Sequence, residues 1–352
     1  MGDEVYKLVG SLASPFSVKM RAIFRYRRIP HVWYLNRGKI AEATAHVRPP
    51  IIPKVHCPDE PDGQWHVDSS PMAYMLEARH SERSIVPPDP VQAVLSHILE
   101  DFGDEWGTKM MFHYRWQDKD KGGDRDRVGW WMSYPGMGPT ADEELATRTR
   151  EFYEWQIPLW PVAGIEPQNV PLIEEMYRQI LDAWEDVLRE QEFLFGSRPS
   201  LGDFGFYGQL YQCMMNDASR DVMNDRCMRV PAWLALMDDP GGIEGEFSDT
   251  LAPLSKGVQK LLWLAGEVYL PYLDATDKAL ATGEERLNFK GLGLQFEQNP
   301  MKYHARCLQV IREKVASLSV EERARLASVL ENTDVLQYVS HDEQIKHGVT
   351  NG

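Results

Sequence analysis

The chain is 352 residues long, 43% hydrophobic and 26% charged, the proportions of a folded protein of about two domains rather than a disordered or fibrous one. Its 38 Lys/Arg against 53 Asp/Glu give a formal net charge of −15, which a phosphate backbone repels, so general nucleic-acid binding is excluded. No apolar run approaches the roughly 18 residues that span a bilayer, and the opening MGDEVYKLVG has no signal-peptide character. Cys57, Cys213, Cys227 and Cys307 are far apart and form no CxxC pair, which argues against a disulfide framework or zinc ribbon and for a reducing cytoplasm.

Val5–Val9 alternates and is β-rich, and Gly10-Ser11 ends it, so a short strand is expected there. Ser14-Pro15 is the strongest helix start in the chain: Ser is a preferred N-cap, and Pro at the first helical position loses no needed N–H. Phe16, Met20, Ile23 and Phe24 then fall on one face. The helix stops before Pro30, and His31–Leu35 reads as a second strand. Ile51–His56 and Trp65–Val67, either side of a turn-rich stretch, read as a hairpin, and Asp68-Ser69-Ser70-Pro71 caps a further helix. The order is βαβ, then ββα. Residues 1–85 carry 12 Lys/Arg against 9 Asp/Glu, so the rest of the chain holds a net −18. That break, with Pro87-Pro88-Asp89-Pro90, marks a domain boundary.

From about Val91 the pattern is helical. Leu95, Ile98, Leu99, Phe102 and Trp106 make a broad apolar face. His97, Asp101 and Glu105 share another face, which reads as solvated or ion-paired, since no second ligand set accompanies it. Residues 117–140 are rich in Gly, Asp and Lys yet contain Trp130-Trp131-Met132, and read as a flap over a pocket or an oligomer contact. Ser200 with Asp203, and Ser319 with Glu322, are capping boxes. Gln259–Leu270 and Met301–Leu318 look like amphipathic helices. There is no P-loop, no GxGxxG after a strand and no Gly-x-Ser-x-Gly elbow.

Ser14-Pro15-Phe16 opening the first helix, Ile52-Pro53 before a hairpin and Asp68-Ser69 at the last helix resemble the glutathione S-transferase superfamily, most closely its serine-type, bacterial-like members. Phe193–Phe204 is similar to the family's segment before its central buried helix, with Gly202 where Ala is usual, and Arg229–Leu234 resembles the helix closing its second domain. The resemblance covers about residues 4–240 and implies an α/β thioredoxin-like glutathione-binding domain (1–86). An all-α domain (91–240) with the 117–140 insertion follows, and residues 241–352 extend it with extra helices. It implies a cytoplasmic, homodimeric detoxification enzyme with glutathione as co-substrate, a small hydrophobic electrophile as partner, and no metal, nucleic acid or membrane. Ser14 would hydrogen-bond the glutathione sulfur, with Ser11 and Ser17 close enough to serve instead. Ile52, beside a cis Pro53, would pair with the cysteinyl backbone. Asp68 and Ser69 would hold the γ-glutamyl end, and Arg48, where many relatives have a nearby Lys, the glycyl carboxylate. Phe16, Phe102, Trp106, Met110 and Tyr114 would line the electrophile pocket. Plainer readings stand beside these: Ser14 and Asp68 as helix caps, and the aromatic stripe as core. A non-catalytic scaffold, or a glutathione-dependent isomerase or ether-cleaving enzyme, suits the same motifs.

Overall fold

The structure, a computed structural model, describes residues 5–250 and 252–340. Strand β1 (Tyr6–Gly10), helix α1 (Pro15–Tyr26) and strand β2 (His31–Leu35) form a parallel β-α-β unit, α1 being the crossover that parallel strands require. After a short helix α2 (Gly38–Ala43), β3 (Lys54–His56) runs antiparallel to β1, and β4 (His66–Val67) antiparallel to β3. The sheet order β2-β1-β3-β4, followed by α3 (Ser69–Arg79), is the expected thioredoxin-like arrangement. Ile51, Ile52 and Pro53 lie outside the ladder, so β3 is shorter than the alternation suggested, and the Ile52–Pro53 and Arg48–Pro49 peptides are both cis.

The helical domain begins with α4 (Pro90–Asp101), whose N-cap Asp89 accepts from Gln92 N–H at 2.9 Å. A π-helical turn (Phe102–Trp106) joins it to α5 (Gly107–Arg115). Then come α6 (Arg125–Met137), α7 (Asp142–Gln156), the strongly amphipathic α8 (Val170–Glu190), α9 (Leu201–Met215), α10 (Asp217–Arg226) and α11 (Val230–Asp238). Helix α9 is the buried axis. Ser200 and Asp203 form the expected capping box, and Asp203 also accepts from Leu194 N–H at 3.0 Å; burial pushes the Asp203 carboxyl up to about 7. Glycines let its neighbours approach closely. A Cβ on Gly205 would stand 2.6 Å from the Glu100 carbonyl oxygen of α4, and one on Gly208 2.7 Å from that of Pro15 in α1. Gly202, the departure noted above, is also tight, its Cβ position 2.9 Å from Leu194 Cδ1 and 3.1 Å from the Ser96 carbonyl.

The extension comprises α12 (Lys256–Leu264), a second π-helical turn (Ala265–Tyr269), α13 (Leu270–Thr282), α14 (Lys302–Ala316), α15 (Val320–Val329) and α16 (Val335–Val339). The pattern is not helical throughout: β5 (Leu287–Gly291) and β6 (Leu294–Gln298) make a hairpin. Its two turn residues, Leu292 and Gly293, both have positive φ (51° and 75°), the twist a two-residue hairpin needs. Phe289 and Phe296 pair across it and close over Trp106. No helix among the described residues is long and apolar enough to cross a membrane.

The two domains are joined by charge as well as by apolar packing. Arg21 and Arg25 of α1 both bond Asp238 at the end of α11, and Arg28 and Arg83 both meet Glu244. The basic surplus of the first domain is thus largely engaged in docking it.

Candidate functional site

Strand register brings the sequence-derived residues to one end of the sheet. Val9 pairs with Lys54, and Lys54 with Val67. The next residues out, Gly10, Pro53 and Asp68, therefore form a row across three strands, and the N-termini of α1 and α3 open at that same end.

Ser14 is the N-cap of α1, half-buried, its Oγ accepting from Ser17 N–H at 3.3 Å. A hydroxyl that accepts from the helix still has its own hydrogen to donate, so capping and a bond to a bound thiolate are compatible. Ser17 is fully buried and unavailable to a ligand, whereas Ser11 lines a cavity. The loop between β1 and α1 is fastened by the second domain: Arg115 Nη2 donates to the Ala13 carbonyl and Gln212 Nε2 to that of Leu12, each at 2.9 Å. Sequence reasoning missed both donors, because nothing local ties residues so distant to this loop.

At the other end of the row, Asp68 has a φ of +75° at the start of α3. Burial raises its carboxyl pKa above the ordinary value, against the pull of Lys19. The Tyr303 hydroxyl, from α14 of the extension, is 3.3 Å from both Asp68 oxygens. Ser69 is buried, its Oγ 3.4 Å from Lys19 Nζ, and Ser70 bonds Glu100. Lys19 sits fully buried between Glu100 and Asp104. Burial works against its ammonium, but the two carboxylates outweigh it and hold Lys19 above its usual pKa. Lys19 thereby pins α3 and α4 to α1 beneath the Asp68-Ser69 turn, a role its place on the amphipathic α1 pattern did not reveal.

Arg48 is exposed and turned back on its own loop, donating to the carbonyls of Ala45 (2.7 Å) and Val47 (3.0 Å). Cys57 lies at the far end of β3, where burial pushes its thiol up to about 12, so no reactive cysteine stands near Ser14.

A cavity of about 370 Å³ opens beside Ser11, Ala13 and Ile52. Its other wall is helix α6 of the 117–140 segment, with Met132 and Met137, and Phe152 of α7. Arg37 Nη1 holds this segment to the first domain through the Pro135 carbonyl at 2.6 Å. The expected aromatic wall requires correction. Phe102, Trp106 and Met110 are 0% exposed and Tyr114 5%; none lines this cavity, nor does the half-buried Phe16. The reason is the extension: Phe102 stacks on Tyr269 and Trp106 packs against Tyr272 and Phe296, while Tyr114 packs on Tyr177. Of the two readings of the His97-Asp101-Glu105 face, solvated or ion-paired, the structure shows the paired one, His97 also standing 3.5 Å from Glu100. His97 meets Tyr74, Asp101 accepts from Tyr269 at 2.5 Å, and Glu105 faces His304 at 3.1 Å.

Residues 167–239 match the family model described as the glutathione S-transferase C-terminal domain. Among solved structures, the chain is similar to a tau-class glutathione S-transferase of mango, Mangifera indica (14% identity, TM-score 0.38, covering 66% of this chain and 88% of that one). It is similar too to a glutathione S-transferase of Methylobacterium radiotolerans in complex with glutathione sulfonate (16% identity, TM-score 0.40, 70% and 99%). A third is a beta-etherase of Sphingobium (16% identity, TM-score 0.44, 66% and 95%). No curated protein sequence matches the chain.

Proposed function

The chain has the fold of the glutathione S-transferase superfamily, and from that premise we propose that it is a cytoplasmic, homodimeric glutathione transferase-like enzyme. Ser14 activates the glutathione thiol for attack on a small hydrophobic electrophile. The observation that carries the reading is the row Gly10-Pro53-Asp68, flanked by two helix N-termini, with a cavity of about 370 Å³ at its Gly10 end whose far wall combines Met132, Met137 and Phe152 with Ser133 and Arg148. A free thiol titrates near ~8.5. A hydrogen bond to a charged group contributes about 1.5–3 kcal/mol and a helix N-terminus about 0.3–1 kcal/mol. At about 1.4 kcal/mol per pKa unit, the two together lower a bound thiol by roughly two units, enough to make it a thiolate at neutral pH.

In this reading the main chain of Ile52 pairs with the cysteinyl unit, Asp68 accepts from the α-ammonium, and Ser69 with its helix N-terminus takes the α-carboxylate. Arg48 reaches the glycyl carboxylate only by giving up its bonds to Ala45 and Val47. The electrophile lies against Met132, Met137 and Phe152 rather than the aromatic stripe of Phe102, Trp106 and Tyr114. Conjugation, isomerisation and ether cleavage share this thiolate. The test is glutathione-dependent turnover of a panel of aryl halides, epoxides and aryl ethers by wild type and Ser14→Ala. The reading predicts a loss of at least tenfold in kcat/KM in the variant; no thermal shift and no turnover at millimolar glutathione refutes it.

A second reading, a binding protein with a degenerate site, is favoured by one observation: Tyr303 already occupies the Asp68 carboxylate. If Tyr303→Phe creates glutathione binding that wild type lacks, that reading holds.

A further inference from the structure

The β3–β4 hairpin carries a second cluster of chemically capable side chains, at the opposite end of β3 from Pro53. Val55 pairs with His66, so the face shared by Val55 and Cys57 also presents the His66 ring. A turn closed by Glu60 N–H on the Cys57 carbonyl at 3.2 Å folds Glu60 back over the same face. Cys57 Sγ, a Glu60 carboxylate oxygen and a His66 ring nitrogen consequently lie within 4.8 Å of one another. We propose that Cys57, Glu60 and His66 form a zinc-binding site, supplying three ligands to one tetrahedral ion whose fourth position is open to water.

Four features support the assignment. The donors are the sulfur, nitrogen and oxygen that zinc accepts, and zinc–ligand bonds of about 2.0–2.3 Å imply ligand separations of roughly 3.3–3.8 Å in a tetrahedron. The present spacing needs only small side-chain adjustments, His66 Nε2 and Glu60 Oε2 moving apart from 2.7 Å. Charge also balances. A thiolate and a carboxylate neutralise a divalent ion, while Arg79 is neutralised by Asp59, which it grips at 2.6 and 2.8 Å. The outer support is in place: Arg79 holds the second Glu60 oxygen at 2.6 Å, and Met75 Sδ lies 3.9 Å from Cys57 Sγ on the buried side. Access is from the exposed side, the His66 side chain being 31% exposed and that of Glu60 12%. On binding, the Cys57 S–H bond breaks, its electron pair goes to the metal and its proton to solvent. Cys-x2-Glu-x5-His lies across a hairpin, which is why a search for CxxC pairs and helical repeats led to the expectation of no metal.

The experiment is titration of the chelator-stripped full-length protein with Co²⁺ and then Zn²⁺. The proposal requires one Co²⁺ per chain, a near-ultraviolet thiolate-to-cobalt band, and its loss on adding Zn²⁺. Cys57→Ser must abolish that band while Cys213→Ser leaves it. His66→Gln, at a partly exposed position, must weaken Zn²⁺ binding by about tenfold or more even if Cys57→Ser fails to fold. Absence of the band in wild type, or Zn²⁺ affinity unchanged by His66→Gln, overturns it. Neither readout uses glutathione, so the outcome is independent of the proposed activity.

Discussion

Asp101 offers a quantitative check on how tightly the extension seals the helical domain. Its carboxyl is buried, with Glu105 and Glu100 adding repulsion, and these push its pKa from 3.8 to about 8; Tyr269 donates to it at 2.5 Å. Below about pH 4, Asp101 is protonated in both the folded and unfolded states and has no pH-dependent effect. As pH rises from 4 to 8, the unfolded chain releases this proton and the folded chain keeps it, so stability falls by about 1.4 kcal/mol per unit. The loss levels off above pH 8, after roughly 5–6 kcal/mol at most. Asp101→Asn keeps an acceptor for Tyr269 and removes the titration. Urea unfolding of both proteins at pH 5, 6, 7 and 8, followed by tryptophan fluorescence, isolates the difference. Other buried groups such as Asp203 and Lys109, each near 7, are common to both proteins. The variant must gain on wild type by about 4 kcal/mol between pH 5 and 8. Parallel stability profiles would show that Asp101 is ionised and reached by water, and the reasoning about a sealed face would be wrong.

Further consequences are open to the same methods. Lys19→Met leaves Glu100 and Asp104 without their cation, at a cost of about 3–5 kcal/mol in denaturant unfolding. Gly205→Ala drives a Cβ to 2.6 Å from the Glu100 carbonyl and costs about 1–3 kcal/mol, whereas Gly136→Ala in α6, with nothing within 4 Å, gains about 0.4–1 kcal/mol; calorimetric melting points should move in opposite directions. Tyr303 lowers the Asp68 pKa, so Tyr303→Phe should shift the acid limb of glutathione binding, measured by calorimetry, to higher pH. Met132→Ala and Phe152→Ala should raise KM for the electrophile while leaving that for glutathione unchanged, because both side chains border the cavity on the α6–α7 side.

What was legible in the sequence was local. Ser14-Pro15, Ser200 with Asp203, and Ser319 with Glu322 announce helix starts within four residues, and each is a cap in the structure. Alternation over residues 5–9 and 31–35 was enough for two strands. The β5–β6 hairpin escaped because its turn is Leu292-Gly293 rather than the usual Asn-Gly, and it sits between long helices. The aromatic stripe is core rather than a pocket wall for a different reason. The apolar stripe of α4 and α5 is real, but what it faces is decided by Tyr269, Tyr272 and Phe296, more than 150 positions further on. Periodicity identifies a face that must be covered, not what covers it. The basic surplus of residues 1–85, likewise, could not be assigned to partners until Asp238 and Glu244 were seen against Arg21, Arg25, Arg28 and Arg83.

The two bonds that steady the β1–α1 loop also set when the loop can become orderly. Leu12 emerges from the ribosome 200 residues ahead of Gln212, the side chain that holds its carbonyl. At about 5–20 residues per second, that interval is roughly 10–40 s. During it the first four strands can pair, and Arg115 arrives about halfway through, yet the segment bearing Ser14 still lacks the bond from Gln212. A nascent chain halted between α3 and α5 would therefore have a finished sheet and a Ser14 loop with neither support.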